Sequence, residues 1–363
     1  MKLVHVVGAR PNFPKLAPVH RAAQRAGLVQ VIVHTGQHYD ETLSDAFFAD
    51  LEIPRPSVNL EVGSGSQAVQ TARVMERIEP VLKAERADWV LVYGDVNSTV
   101  AAALVAAKLL IPLAHVEAGL RSYDRTMPEE INRIVTDRLA NLLLTPSRDA
   151  SAILQAEGEP EDEIAFVGNV MIDTLMHALP IARRLRPDSP PLEPPGVVVT
   201  LHRPSNVDDP TRLARIMGAL RMIAMERPVI FPAHPRTASR LVDARLDSGG
   251  VRVSGPLPYL EMVRLVDQAH AVITDSGGIQ EETTVLGVPC FTVRENTERP
   301  ITITEGTNKL VPDPADLPEL VRSACRRTPA RIPEGWDGRA GERIVQVLLA
   351  RHASRGGAVA GRA

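Results

Sequence analysis

The strongest constraint on this chain is a rhythm. Short runs rich in β-branched residues, each ending in Gly, Thr, Ser or Asp, alternate with longer segments of roughly 3.6-residue apolar period. That is the pattern of a parallel sheet whose strands are joined by crossover helices. Strands are expected at Leu3–Val7, Gln30–His34, Trp89–Tyr93, Leu113–Val116 and Asn141–Thr145. After Leu185 the rhythm stops at RPDSPPLEPPG, where five prolines in eleven residues forbid a helix interior and favour an extended linker. It restarts with Val197–Leu201, Val229–Phe231, Val251–Ser254, Ala271–Thr274 and Cys290–Val293, without any aligned repeat of the first half. The expectation is an α/β chain of two parallel-sheet domains, 1–186 and 197–338, joined by a Pro-rich linker at 187–196. A length of 363 residues with 44% apolar content is ample to bury a core in each. The Gly-rich end, residues 354–363, is expected to fray into a disordered tail.

Composition narrows the function classes. Lys plus Arg (41) nearly balance Asp plus Glu (44), so no chain-wide field draws nucleic acid or anionic lipid, and binding must come from local sites. The opening MKLVHVVGARP, a short apolar run ended by Gly8, does not match a secretory signal. Val100 to Ala114, the most apolar stretch, is interrupted by Lys108 and Pro112 and falls short of the roughly 20 residues a membrane span needs. Cys290 and Cys325 are the only cysteines and join no Cys-x-x-Cys or Cys/His cluster, so neither structural zinc nor a disulfide framework is expected. A soluble cytoplasmic protein with no nucleic-acid or membrane partner is the expectation.

Open parallel sheets bind ligands beyond the carboxyl ends of their strands, so the loops after the runs hold the candidates. The first, Gly8-Ala9-Arg10-Pro11-Asn12-Phe13-Pro14-Lys15, offers the N–H groups of a helix start together with Arg10 and Lys15. It reads as an anion site or as solvated cations beside a tight turn, and it is neither a GxGxxG fingerprint nor a Walker A loop. In Thr274-Asp275-Ser276-Gly277-Gly278-Ile279-Gln280-Glu281-Glu282, a strand ends, two glycines allow close approach and a helix follows. Diphosphate could sit on the exposed N–H groups there, with Glu281 or Glu282 accepting from ribose hydroxyls. The same letters fit an N-cap Asp or Ser followed by acids that complement the helix dipole.

Acids follow three elements of the first half: Asp95 in YGDVNST, Glu117 in HVEAGLRS, and Glu129-Glu130 in MPEEINR. Carboxylates at adjacent strand ends can converge and suit acid/base chemistry. Singly, each has a structural account: Asp95 caps a helix over Val96–Leu110, Glu117 pairs with Arg121, and Glu129 and Glu130 occupy a first turn. In the second half, His202-Arg203 and His234-Pro235-Arg236 each follow a strand, where imidazole and guanidinium are natural phosphate donors. Neither has metal-ligand spacing, so no metal is assigned.

Taken in order, GARPNFPK, HTGQH, YGDVNST, HVEAGLRS, PEEINR, LHRPSN, HPRT, TDSGGIQEE and ENTERP resemble the non-hydrolysing UDP-N-acetylglucosamine 2-epimerases over Val7 to about Val311. The resemblance implies a GT-B-like fold of two Rossmann-like domains with an interdomain active-site cleft. It also implies a C-terminal helix, 339–353, that packs back on the first domain, and a homodimer. The implied activity is C2 epimerisation of UDP-N-acetylglucosamine to UDP-N-acetylmannosamine, by eliminating UDP to a bound 2-acetamidoglucal and re-adding it, in supply of bacterial surface polysaccharide precursors. No cofactor is needed, because the stereocentre is cleared by forming a double bond. By resemblance Asp95, Glu117 and Glu129 are acid/base residues and His202 steadies the departing UDP. Arg10, Lys15, Arg133, His234, Ser276, Gly277 and Gly278 are substrate contacts on the same ground, and Glu282 is the ribose ligand. Many members have His-Arg-Arg-Glu-Asn where this chain has His202-Arg203-Pro204-Ser205-Asn206. The activation by a second substrate molecule that some members show, through contacts matching Gln37, Arg203 and His234, is therefore not carried over.

Other readings use the same letters. A GT-B glycosyltransferase would share the nucleotide site but would not require Asp95, Glu117 and Glu129 together. A hydrolysing epimerase would release UDP in stoichiometric amount, and a silent nucleotide-sugar sensor would keep SGGIQEE and lose the acids. A UDP-diacetamido-uronate is the alternative substrate, although Thr297-Glu298-Arg299-Pro300 sits closer to the N-acetylglucosamine branch.

Overall fold

The computed structural model describes residues 1–363 except 37–47, 49, 186–195, 327–330 and 361–363. The chain forms two compact units. Met1–Thr174 and Glu334–Ala363 make the first, and Leu175–Pro333 make the second.

The first unit holds a parallel sheet of β1 (Lys2–Val7), β2 (Val29–His34), β3 (Val58–Asn59), β4 (Trp89–Tyr93), β5 (Leu113–Val116), β6 (Leu142–Thr145) and β7 (Ile164–Phe166), in the order β3-β2-β1-β4-β5-β6-β7. Strands covered on both faces need apolar residues throughout, and β4 and β5 are buried at every position. The second unit repeats the plan with β8 (Val197–Thr200), β9 (Val229–Pro232), β10 (Arg252–Ser254), β11 (Ala271–Thr274), β12 (Cys290–Thr292) and β13 (Asn308–Leu310), in the order β10-β9-β8-β11-β12-β13. All ten expected strands are present. The strands β3, β7 and β13 were not anticipated, and each lies at a sheet edge with two or three residues, too few to show a period.

In each sheet the order reverses once, between β1 and β4 and between β8 and β11. Chain crossing to opposite sides at that point opens a crevice at the carboxyl ends, which is where such sheets bind ligands.

The units divide earlier than the prolines suggest. The chain passes from one to the other inside the helix Val170–Ala182, whose start is pinned to the first unit: Thr174 donates to the Pro14 carbonyl at 2.5 Å, and Asp173 accepts from the N–H groups of Ala340 and Gly341. The expected linker, apart from Gly196, lies outside the described residues.

The return begins at Glu334 rather than at 339. Buried Trp336 donates to the Pro146 carbonyl at 3.1 Å, and the helix Ala340–Ala360 then packs on the helix Phe13–Arg25. The contact is close because Gly341 has no side chain: a Cβ there would stand 2.6 Å from the Pro18 carbonyl oxygen. This helix runs to Ala360, into the segment expected to fray, and residues 361–363 lie outside the described residues. Gly356 and Gly357 weaken a helix by about 1 kcal/mol each relative to Ala but do not by themselves end one. No helix among the described residues is long and apolar enough to cross a membrane.

Candidate active site

At the first switch point the loop after β1 is tied to the end of β4 by a residue the sequence reading left unassigned. Asn12 Oδ1 accepts from the N–H groups of Gly8 (3.0 Å) and Ala9 (3.1 Å), while its Nδ2 donates to the Tyr93 carbonyl (2.9 Å). Those two N–H groups are therefore already engaged. Lys15, two residues into the following helix, is buried and ion-paired with Glu117, so it is not a solvated cation. Gly94 makes room for the pair. A Cβ on it would meet Lys15 Nζ at 2.5 Å and Glu117 Oε2 at 3.3 Å.

Glu117 itself sits at φ 75°, a left-handed conformation that costs a residue with a side chain about 1–3 kcal/mol and concentrates at functional sites. Its expected partner Arg121 is occupied elsewhere, by Asp137 at 2.7 Å and Glu157 at 2.8 Å. The next helix runs Asn97–Lys108 with Val96 at its N-cap position, and the Asp95 carboxylate meets Arg133 Nη2 at 2.8 Å. Arg133 also pairs with Glu130, placing it among the acids of this unit. The adjacent glutamates part company at the start of the helix Pro128–Leu139. Glu130 is buried and accepts from Ser122 N (2.9 Å), Ser122 Oγ (3.0 Å) and Tyr123 N (2.8 Å), whereas Glu129 is exposed. Asp95, Glu117, Lys15 and Arg133 are thus gathered at the ends of β1, β4 and β5, with Glu129 outside their hydrogen-bonded set.

At the second switch point Asp275 is wholly buried. It accepts from His202 N (3.1 Å), Arg203 N (3.0 Å) and Asn206 Nδ2 (3.1 Å), and His202 Nδ1 lies 3.0 Å from its Oδ1. Burial would raise this carboxyl, but His202, with help from Arg203 and Asn206, holds it below the usual range. Asp275 therefore caps the loop after β8 rather than its own helix. With Nδ1 turned to the carboxylate, Nε2 of the half-exposed His202 ring is the nitrogen left for a ligand.

The helix Gly277–Leu286 opens at Ser276 without a side-chain cap, so its first-turn N–H groups have no intrahelical acceptor and suit an anion. Gly277 is required here, since a Cβ would collide with the Arg299 guanidinium; Gly278 follows in the same turn. Both helix acids are buried, but differently engaged. Glu281 pairs with Arg299 Nε at 2.8 Å, and Glu282 accepts from the Tyr259 hydroxyl at 3.1 Å. Glu298, in the loop before Pro300, is surrounded by Arg299, Arg294 and Arg203, which overcome its burial and hold it well below the usual range. His234 caps the helix Pro235–Asp243 through Nδ1, 3.3 Å from Arg236 N, and is exposed. Arg10 is half-buried beside the first loop, and Gln37 lies outside the described residues.

Glu282 gives a pH prediction. Burial, with Glu281 adding to it and the Tyr259 hydroxyl opposing it, pushes its carboxyl from 4.5 up to about 7. A raised folded-state value means the fold favours the protonated acid, so stability is retained at acid pH and lost as pH climbs through that window, by roughly 3 kcal/mol in all. Glu282→Gln should flatten the fall in Tm between about pH 4.5 and 7. Parallel Tm–pH curves for the two proteins would contradict this.

With this geometry in view, comparison with known proteins is decisive. The model of the UDP-N-acetylglucosamine 2-epimerase family matches residues 20–349. A UDP-N-acetylglucosamine 2-epimerase of Methanocaldococcus jannaschii is 40% identical, over 96% of this chain and 99% of that protein. The chain belongs to the UDP-N-acetylglucosamine 2-epimerase family. A crystal structure of the Methanocaldococcus jannaschii UDP-GlcNAc 2-epimerase in complex with UDP-GlcNAc and UDP superposes with a TM-score of 0.90 at 39% identity, covering 96% of this chain and 100% of that one. A UDP-2,3-diacetamido-2,3-dideoxy-D-glucuronate 2-epimerase of Pseudomonas aeruginosa is 41% identical over 96% of this chain and 99% of its own length. Relatives of like identity are thus named for different UDP-sugars. The two Rossmann-like sheets are GT-B-like, as the motifs implied. Beyond the candidates read from the sequence, Asn12, Asn206 and Glu298 lie within the family motifs and hold neighbouring groups at the two strand-end loops.

Proposed function

We propose that the protein interconverts UDP-N-acetylglucosamine and UDP-N-acetylmannosamine by eliminating and re-adding UDP. The observation that carries this reading is the pair of carboxylates, Asp95 and Glu117, at the ends of neighbouring strands, each held by a cation, Arg133 and Lys15. One carboxylate removes the C2 proton while the C1–O bond breaks and UDP leaves with the electron pair, giving a C1–C2 double bond. A proton then reaches the opposite face of C2 and a UDP oxygen re-forms the bond at C1. Glu129 completes the acid/base set by its place in the family motif.

A C2 proton is weakly acidic, so much of the rate comes from stabilising charge on the departing diphosphate. His202 Nε2, the Ser276-Gly277-Gly278 turn, Arg10 and Lys15 supply that stabilisation. Glu282, which accepts from the Tyr259 hydroxyl, takes the ribose. Arg133 orients Asp95, and His234 stands at the end of β9 beside the phosphate loop's sheet. The product would feed surface polysaccharide synthesis.

In heavy water, UDP-N-acetylmannosamine formed from UDP-N-acetylglucosamine should carry deuterium at C2, because removal and return occur on opposite faces and one acid does not carry the proton across without exchange. Traces of free UDP and 2-acetamidoglucal should accompany long incubations. Epimerised product with full protium at C2 would contradict the solvent-exchanging route. A second substrate reading rests on the Pseudomonas aeruginosa relative. Assayed side by side, UDP-N-acetylglucosamine should show the higher kcat/KM, and preference for the diacetamido-uronate would reassign the sugar.

A further inference from the structure

We propose that His115, buried in the centre of β5, carries hydrogen on both ring nitrogens and acts as a positioning residue that locks the two turns bearing Asp95 and Glu117. The positioning role rests on the chemistry proposed above for those acids; the placement of the hydrogens does not.

Both ring nitrogens face acceptors. Nε2 lies 2.8 Å from the Gly94 carbonyl oxygen, which can only accept, so this nitrogen carries hydrogen. Nδ1 lies 2.6 Å from Oδ1 of Asp137, in the helix Pro128–Leu139. The proton between them belongs to one or the other. Asp137 Oδ2 already accepts from Arg121 Nη1 at 2.7 Å and from Gly119 N at 3.2 Å, which is the environment of a carboxylate. The proton therefore stays on Nδ1. Charge is balanced within the cluster, because Arg121 also binds Glu157 through Nε (2.9 Å) and Nη2 (2.8 Å): two cations face two carboxylates. His115, Asp137 and Arg121 are all essentially inaccessible, and only Glu157 reaches solvent.

The groups this cluster grips are backbone groups of the catalytic turns. The Gly94 carbonyl immediately precedes Asp95. The Gly119 N–H and the Leu120 carbonyl, which takes Arg121 Nη1 at 2.8 Å, follow Glu117. Gly94, Glu117 and Gly119 all have positive φ, at 62°, 75° and 84°. The two glycines adopt this at no steric cost, but a glutamate there persists only where its surroundings over-determine it. Beside an ionised Asp137, a neutral imidazole would leave either the Gly94 carbonyl or Asp137 Oδ1 without the ring's donor and release one of the two turns.

The full-length protein labelled with 15N-histidine tests the hydrogens directly. The ring signals of His115, identified by their loss in His115→Gln, should show hydrogen on both nitrogens near neutral pH, and one bare nitrogen would overturn the assignment. His115→Gln keeps one donor and loses the other, so kcat should fall about 10- to 100-fold, as expected of misplaced catalytic groups, while KM and UDP affinity stay within about 3-fold. Should that variant not fold, Glu157→Gln at the solvent end serves, with a kcat loss of about 3-fold or more at unchanged KM. Native kcat in the folded variants would overturn the positioning role. If the wild-type protein turns over no UDP-sugar, the reading of Asp95 and Glu117 fails, and the ring signals still decide the state of His115.

Discussion

Glu117→Gln and Asp95→Asn should each lower kcat by about 10²- to 10⁴-fold, the range expected when a positioned general acid or base is removed, while UDP affinity changes little. Each amide keeps the size of the carboxylate it replaces but cannot take a proton. The two substitutions also leave a buried cation behind, Lys15 for Glu117 and Arg133 for Asp95, and Arg133 keeps a second carboxylate partner in Glu130. Glu117→Gln should therefore also cost stability, and the pair is best compared at equal fraction folded. Turnover measured with saturating UDP-N-acetylglucosamine, alongside calorimetry with UDP, separates the two effects. Near-native kcat in either folded variant would remove that residue from acid/base chemistry.

Asp275→Ala should do as much damage in the second unit by a different route. It strips the common acceptor from His202 N, Arg203 N, Asn206 Nδ2 and His202 Nδ1, and leaves these donors facing a cavity. Removing one side of a buried charged cluster costs about 3–5 kcal/mol. Binding of UDP should fall by more than about 10-fold, since His202 loses the hydrogen bond that orients its ring and charge-assisted contacts to phosphate are worth about 1.5–3 kcal/mol. Asp275→Asn, which keeps an acceptor oxygen, should lie between. A thermal melt and UDP calorimetry on both variants suffice; wild-type values for Asp275→Ala would mean that the carboxylate does not hold the loop.

How far the sequence carried the fold depended on burial. The strand Trp89–Tyr93 is apolar at every position because helices cover both faces of the sheet, and such runs are legible one at a time. The edge strands Val58–Asn59, Ile164–Phe166 and Asn308–Leu310 have no such signature. Proline marked where a helix cannot continue, which is not where contacts between the units part; that boundary falls inside a helix because Asp173 and Thr174 are tied to one side.

At the site, Asp95 and Glu117 were visible because they directly follow strands. Their partners were not. Arg121 lies near Glu117 in sequence but, in an irregular turn, spacing does not dictate facing, and its guanidinium goes to Asp137 and Glu157. Glu129 and Glu130 are adjacent letters, yet helical geometry sends one to solvent and one to the interior. Lys15 reads from the sequence as a phosphate donor, and its ion pair with Glu117 is a relation only the folded sheet creates.

Both ends of the chain belong to the first unit, and this bears on how the molecule is made. The helix Phe13–Arg25 leaves the ribosome long before its packing partner, Ala340–Ala360. Domains usually mature in the order they are synthesised. Here the second unit has its whole sequence available while the first still lacks a wall, so the first unit must wait, with the Pro18 face of its first helix uncovered, until Ala340–Ala360 has been made. Premature termination anywhere beyond Pro333 would yield a chain whose second unit has all of its residues and whose first, with the acid/base turns, is unfinished.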